Sequence, residues 1–248
     1  MRRFTIAPER IARGHVVFDA DESRHLWRVL RLRPGDTVIA SDGAGHDYTV
    51  RLDTVGTRAT GSILRVAAHD AESPLAVTLV QVVAKGDRME TIVRAATELG
   101  VARVLPALAA RTVVRLDTAG WRERTRRWQR VAREASKQCR RSVVPDVQEP
   151  RPLADRLALA ADSELALCVW EGDCPSLERA LKAAAAPRTA VLLIGPEGGL
   201  ADDEVAAARA HGWTTVSLGP RILRTETAGP AILAVLQARF GDLGGATG

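Results

Sequence analysis

The sequence predicts an α/β protein: a C-terminal domain built on a parallel sheet, preceded by a small β-barrel. Three observations predict it. Residues 1–72 are short β-branched runs cut by glycine turns, the pattern of a small barrel. From Leu75 onward, strands that are apolar throughout alternate with helical periods, as in a parallel sheet covered on both faces. Two glycine turns, LLIGPEGGLADDE (Leu192–Glu204) and VSLGPRILRTETAGPA (Val216–Ala231), each follow an apolar run where a strand should end.

In the first region, HVVF, DTVIASDGAG, DYTVRLDTVG and GSILRVAAHD read as strands. DESRHLWRVLRL interrupts them as a helix, capped by Asp21 or Ser23, with Leu26, Val29, Leu30 and Leu32 on one side. His25, beside Leu26 and Trp27, reads as a packed barrel residue, with a place among RNA-contacting residues as the alternative. The polar stretch AAHDAESP (Ala67–Pro74) is the linker, which places the domains at 1–72 and 73–248.

In the second region LAVTLVQVVA, VARVLPALA, VVPDV, ELALCVW, TAVLLIG and TTVSLG read as strands. DRMETIVRAATELG is a helix with Asp87 at its cap and Gly100 closing it. GWRERTRRWQRVAREASKQC, SLERALKAAAA, DDEVAAARAHG and TAGPAILAVLQARF supply the other helices. Thr225 or Thr227 caps the last one. Pro230 should lie in its first turn, because proline farther inside breaks a helix, which leaves Arg221, Arg224 and Glu226 on a loop.

Composition narrows the function classes. The chain of 248 residues is 46% hydrophobic and 26% charged, and no apolar run reaches membrane-spanning length. Its start carries no apolar signal segment, so the expected location is the cytoplasm. Cys139, Cys168 and Cys174 form no CxxC pair and have no neighbouring histidines, so neither a disulfide framework nor a metal site is expected. The net charge of +5 and pI of 9.7 point to a polyanionic partner. Between Arg111 and Arg141, ten Arg and Lys137 face only Asp117, Glu123 and Glu134, with Trp121 and Trp128 interleaved. The barrel region adds Arg2, Arg3, Arg10, Arg13, Arg24, Arg28, Arg31 and Arg33.

The two glycine turns point to one ligand. Gly195, Gly198, Gly199 and Gly219 let it lie against main chain outside the carboxyl ends of the strands. Neither turn is a GxxxxGK[ST] or GxGxxG loop, and Glu197 puts a carboxylate where a phosphate would lie. A ligand held by backbone hydrogen bonds and apolar walls, such as an adenosine moiety, fits better, with Leu218, Ile222 and Leu223 as walls.

GPEGG with LGPRILRTETA, KGDRMETIVRAATELGV, RTVVR, RW-x-RVAREA-x-x-Q and VVP, in that order, resembles the RsmE family of ribosomal RNA methyltransferases, of the SPOUT class. HLWRVLRLRPGD resembles that family's PUA-like barrel. The resemblance implies a sheet tied in a deep trefoil knot, a homodimer, and transfer of a methyl group from S-adenosyl-L-methionine to N3 of one uridine in 16S ribosomal RNA, free or in the assembled small subunit. The cofactor would be cradled by Gly195, Pro196, Glu197, Gly198 and Gly199, by Leu218, Gly219, Ile222, Leu223, Arg224 and Thr227, and by a third loop at Val169, Trp170 and Glu171. Two positions depart from the family pattern: Ala201 stands where a serine often opens the helix, so Asp202 or Asp203 should cap, and Ala95 stands where a lysine often precedes ATELG.

Loss of the N3 proton calls for a carboxylate near the methyl donor, Glu226 first and Glu197 second. Arg224 or Arg221 would stabilise charge on the uracil oxygens or hold a phosphate. Arg2, Arg3, Arg10, Arg28 and Arg31, together with Arg111, Arg126, Arg127 and Arg141, are the expected RNA track; Lys85 or Arg88 is a candidate for contact with RNA or cofactor, and Gln138 and Arg141 for dimer or RNA contact. The alternative is a non-catalytic RNA-binding protein of the same fold. A nucleotide hydrolase is disfavoured by the missing P-loop lysine and metal carboxylates.

Overall fold

Alternating side chains and glycine turns in the first region resolve into one sheet of six strands. In the computed structural model, which describes residues 2–68, 72–141 and 143–244, the chain divides into two units. The first comprises Met1–Glu72 and Ser136–Val144, the second Ser73–Ala135 and Pro145–Gly248. The return of Ser136–Val144 to the first unit had no signature in linear composition. Of the expected linker, residues 69–71 lie outside the described residues.

The first unit contains β1 (Arg3–Thr5), β2 (Ile11–Ala12), β3 (His15–Val17), α1 (Ala20–Arg24), β4 (Thr37–Ser41), β5 (His46–Thr54) and β6 (Thr60–Ala68). Their order in the sheet is β1-β4-β5-β6-β3-β2, antiparallel except for β1 beside β4. β1 and β2 are too short to show a period of two, so they were invisible to pattern. Phe4, Phe18, Leu26, Val38, Val50 and Leu52 fill the core. The helix is capped by Asp19, whose carboxylate accepts the Glu22 N–H at 2.8 Å, rather than by Asp21 or Ser23. Asp21 already lies inside the first turn. The Ser23 hydroxyl faces inward, donating to Phe18 O and accepting from Ala59 N. A π-helical turn, His25–Val29, follows α1. His25 meets the edge of Phe4, with ring centroids 5.8 Å apart, but its side chain is 48% exposed, so it lies on the surface of the first unit rather than packed within it.

The second unit carries β7 (Ala76–Val82), α2 (Arg88–Glu98), β8 (Val101–Leu108), α3 (Thr118–Cys139), β9 (Asp146–Val147), β10 (Arg151–Pro152), α4 (Ala154–Leu157), β11 (Leu165–Val169), α5 (Leu177–Ala183), β12 (Thr189–Ile194), α6 (Asp202–Ala210), β13 (Thr214–Val216) and α7 (Thr225–Phe240). The last turn of α3, from Ser136, belongs to the first unit. Strand order is β10-β8-β7-β12-β11-β13, with β9 also on β8, and every pairing is parallel. Residues 77–82 and 190–194 are buried without interruption, as central strands between two helical layers require. Gly100 adopts φ +81° directly after the Leu99 C-cap, the left-handed closure that glycine permits.

Four expectations need correcting. VVPDV is not one strand: only Asp146–Val147 pairs with β8, while Val143 bridges Ala44 in the first unit, and Pro145 between them has no N–H to donate. α6 takes Ala201, not Asp202 or Asp203, at its cap position; the Glu204 carboxylate reaches back to accept the Ala201 N–H at 2.9 Å. Pro230 sits in the second turn of α7, where only the hydrogen bond to the Glu226 carbonyl is forgone, so Glu226 belongs to the helix rather than to the loop before it. Arg224, not Thr225 or Thr227, holds the cap position, its carbonyl accepting from Thr227 and Ala228.

Trp128 also departs from its expected place among the surface arginines, since it is fully buried in the face of α3 that carries Ala132 and Ala135. A side chain of that size in a packed interior anchors the helix. Trp128→Ala should cost about 3–5 kcal/mol, read as a lowered midpoint in urea denaturation of the whole chain.

Candidate active site

The order β7-β12-β11-β13 lines up four carboxyl-terminal loops along one edge of the sheet, where ligands of open α/β sheets bind. The loop after β12 is the tightest. Gly199 donates to Pro196 O at 3.0 Å and takes φ +71°, so this turn needs glycine. A Cβ on Gly199 would collide with the Glu171 carboxylate from the loop after β11. A Cβ on Gly195 would stand 3.2 Å from the Leu200 nitrogen.

Three ties fix this loop. Arg111, after β8, donates to Gly198 O at 2.8 Å and to Leu200 O at 3.3 Å. Glu204 accepts from Ala110 N at 2.8 Å, holding the same two segments together. The Thr225 hydroxyl, at the start of α7, donates to Gly195 O at 2.7 Å and accepts from the Gln81 amide of β7 at 2.9 Å.

The loop after β13 is built differently. Gly219 takes φ +110° and its N–H reaches the Ser217 hydroxyl at 3.2 Å. The chain then runs through Arg221, Ile222, Leu223 and Arg224 into α7. Between the loops lies a cleft of about 330 Å³ lined by Val169, Glu171, Gly195, Pro196, Glu197, Gly199, Ile222, Leu223, Arg224 and Glu226, among others. A second hollow of about 240 Å³ adds Trp170, Leu218, Gly219 and Arg221 and shares Val169, Glu171, Ile222 and Leu223 with the first. The two glycine turns therefore form one site. Of the expected cofactor residues, Gly198 and Thr227 do not line it: Gly198 turns its carbonyl to Arg111, and Thr227 is exposed on α7. Leu200, Thr225 and Ala228 do line it and were not expected there as cofactor contacts, and Arg88, expected to meet RNA or cofactor, lines it too. Thr225 was ambiguous in sequence, because a threonine before a helix reads equally well as a cap.

Charge at the site is organised by Arg88. Its guanidinium donates to Glu197 Oε1 at 3.2 Å and lies 3.5 Å from Glu226 Oε2, so one cation bridges two carboxylates. Glu197 Oε1 also accepts the Lys85 N–H at 2.9 Å, which makes Glu197 a tether between the loops after β7 and β12. The Glu226 side chain is 20% exposed, lines the cleft, and its buried Oε2 lacks a hydrogen bond among the described residues. Arg224 stands 4.0 Å from Glu226 and is 82% exposed. Burial pushes the neighbouring Cys168 thiol up to about 12 and raises that of Cys174, so neither offers a nucleophilic thiolate near neutral pH. Among the described residues no three His, Cys, Asp or Glu side chains gather as a metal site, and no helix is long and apolar enough to cross a membrane.

The expected RNA track divides. Arg126 and Arg127 are exposed, pairing with Glu123 and Glu90, and Arg2, Arg10, Arg28 and Arg31 are exposed in the first unit. Arg3 and Arg141 are not available to a phosphate. Arg3 pairs with Asp47 and donates to Arg140 O, and Arg141 is buried against Glu72 at 2.6 Å. Arg88 lines the cleft, the exposed Arg111 is bonded to the Gly198 and Leu200 carbonyls, and Lys85 engages Glu197 through its backbone.

This fold and cleft define an RNA methyltransferase domain: residues 71–237 match the family model so described, and residues 18–57 match the RNA methyltransferase PUA domain. The chain is 36% identical to the ribosomal RNA small subunit methyltransferase E of Synechocystis sp. over 95% of its own length and 77% of that protein's. It is 34% identical to a ribosomal RNA small subunit methyltransferase E from Neisseria gonorrhoeae, solved bound to S-adenosyl methionine, with a TM-score of 0.87 over 98% of this chain and 99% of that one. A putative methyltransferase from Legionella pneumophila, in complex with the cofactor SAM, matches at 30% identity and a TM-score of 0.89, covering 97% and 98% of the two chains. The chain belongs to the ribosomal RNA small subunit methyltransferase E family.

Arg111 provides a direct test of how the site is held. Arg111→Ala removes two charge-assisted hydrogen bonds and should cost about 1–3 kcal/mol. Hydrogen exchange should quicken at the amides of residues 197–201 and stay unchanged in β7 and β8.

Proposed function

We propose that this protein transfers the methyl group of S-adenosyl-L-methionine to N3 of a uridine in small-subunit (16S) ribosomal RNA. It works as a homodimer in the cytoplasm, where that RNA is made. The observation that carries the reading is the convergence of both glycine turns on one cleft with Glu226 in its wall. Support for the expected deep trefoil knot comes from α7, which packs back on β7, β12 and α2 after the chain has left β13 at the sheet edge. Support for the PUA-like barrel comes from the family match and from the enclosed apolar core of the six-stranded sheet.

The residues present fit the cofactor. Val169, Ile194, Leu223 and Ala228 give an apolar wall, the glycine turns expose main chain, and the Glu171 carboxylate can accept from ribose hydroxyls. Glu197 and Glu226 make the cleft suitable for a sulfonium cation and unsuitable for a phosphate. When bound, S-adenosylmethionine supplies an electrophilic methyl group.

The chain's own residues then have separate tasks. Glu226, a part-buried carboxylate in the cleft wall, accepts the proton leaving uridine N3. Arg88 holds that carboxylate in place and ties it to Glu197. Arg224 and Arg221, exposed at the mouth, balance the negative charge that develops on the uracil oxygens or hold the adjoining phosphate. The exposed arginines of α3 and of the first unit hold the RNA backbone.

Glu226→Gln should lower the single-turnover methylation rate by about 10²–10⁴-fold while calorimetric affinity for S-adenosylmethionine stays near that of the wild type. An unchanged rate removes Glu226 as the base, and a wild-type protein with no calorimetric signal returns the reading to an RNA-binding protein without turnover. Mass spectrometry of ribosomal RNA from cells lacking the protein should show one N3-methyluridine lost.

A further inference from the structure

The outward side of the π-helical turn His25–Val29 is not explained by the fold. Its Leu26 is fully buried and anchors the turn, yet Trp27 is 43% and Val29 66% exposed. The turn closes with Leu30 N–H on His25 O at 3.0 Å. This wider turn carries Trp27, Arg28 and Val29 consecutively into solvent while Leu26 stays inside. π-turns are rare and cluster at functional sites. Two residues on, Arg31 adopts φ +52°, a strained conformation for a side chain of its type.

Charge around the turn indicates what it meets. The Arg28 guanidinium lies 5.1 Å from the centre of the Trp27 ring. From Arg24 to Gly35 there are four arginines and no acidic residue. The nearest carboxylates in sequence are engaged: Asp21 with Arg24 at 3.4 Å, Glu22 with Lys137, and Asp36 with the Arg33 N–H at 2.8 Å. An exposed indole with a stacked guanidinium, in a field of one sign, fits an unpaired base on a phosphate backbone better than a protein surface.

We propose that Trp27, with Arg28 stacked beside it, is a platform for an unpaired base of single-stranded RNA. The proposal rests on the reading of this protein as an RNA enzyme and adds to it a recognition element that distinguishes unpaired from paired RNA. Stacking is insensitive to salt, whereas phosphate contacts are not, and the test uses that difference.

The full chain is titrated by fluorescence anisotropy with a labelled single-stranded RNA of about twelve nucleotides and with a blunt-ended duplex of similar length, across a salt series. Trp27→Ala should bind the single strand about tenfold more weakly at every salt concentration, with the slope of log K against log salt unchanged and duplex binding little altered. Trp27→Phe should restore most of the affinity and Trp27→Leu should not. Replacing Arg28 and Arg31 together by Gln should instead flatten the salt slope by about 1.4. Wild-type affinity in Trp27→Ala, full rescue by Leu, or loss of self-association with RNA binding intact each overturns the platform while leaving the enzyme reading standing. Absence of RNA binding by the wild type overturns both.

Discussion

A buried chain of three polar groups holds the site together. Gln81, fully buried in β7, donates to the Thr225 hydroxyl, which donates to the carbonyl of Gly195. With these two bonds a central strand, the glycine turn after β12 and the first residue of α7 share one network. In a water-excluded interior each of these groups would cost about 1–3 kcal/mol if left unpaired, so the three elements are constrained to one arrangement. Glu226 follows Thr225 directly, and its direction into the cleft is inherited from that anchor. Arg88 repeats the tie nearer the surface, joining Glu197 of the same turn to Glu226 of the same helix. The catalytic carboxylate proposed here is therefore held from below by a neutral network and from the side by an ion pair.

Arginines show how one residue type is sorted by its surroundings. Arg141 lies buried against Glu72 and Arg3 against Asp47, and both stabilise the first unit from within. Arg111 closes on the carbonyls of Gly198 and Leu200, using the planar fork of donors that a lysine lacks. Arg126 and Arg127, adjacent on α3, stay exposed, Arg126 beside the exposed Glu123 in a pair of small energetic weight and Arg127 against the buried Glu90. Composition and local charge balance treat all of these alike, because neither contains the position of the acceptor.

The misplaced local signals share a cause. Trp128 among arginines has the pattern of a nucleic-acid surface, but its helix turns that face to the core, where the area of an indole is worth most. Pro230 reads as a first-turn residue, yet tertiary packing of α7 outweighs the loss of one hydrogen bond. At α6 the missing side-chain acceptor of Ala201 is offset by Glu204, which a search for serine or aspartate at the cap does not detect.

By itself the sequence determined what short-range chemistry determines. Uninterrupted apolar runs required central parallel strands, Gly100 closed the helix before it, and GPEGG joined to RILRTETA carried the family resemblance across most of the chain. Only the tertiary structure decided that Glu197 is a tether, that Arg88 pairs with Glu226 and that Thr225 ties the first turn to α7. Those outcomes depend on partners such as Gln81 and Thr225, 144 residues apart, or Arg88 and Glu197, 109 apart. A hydrogen bond is set by distance and angle in space, and separation along the chain carries neither.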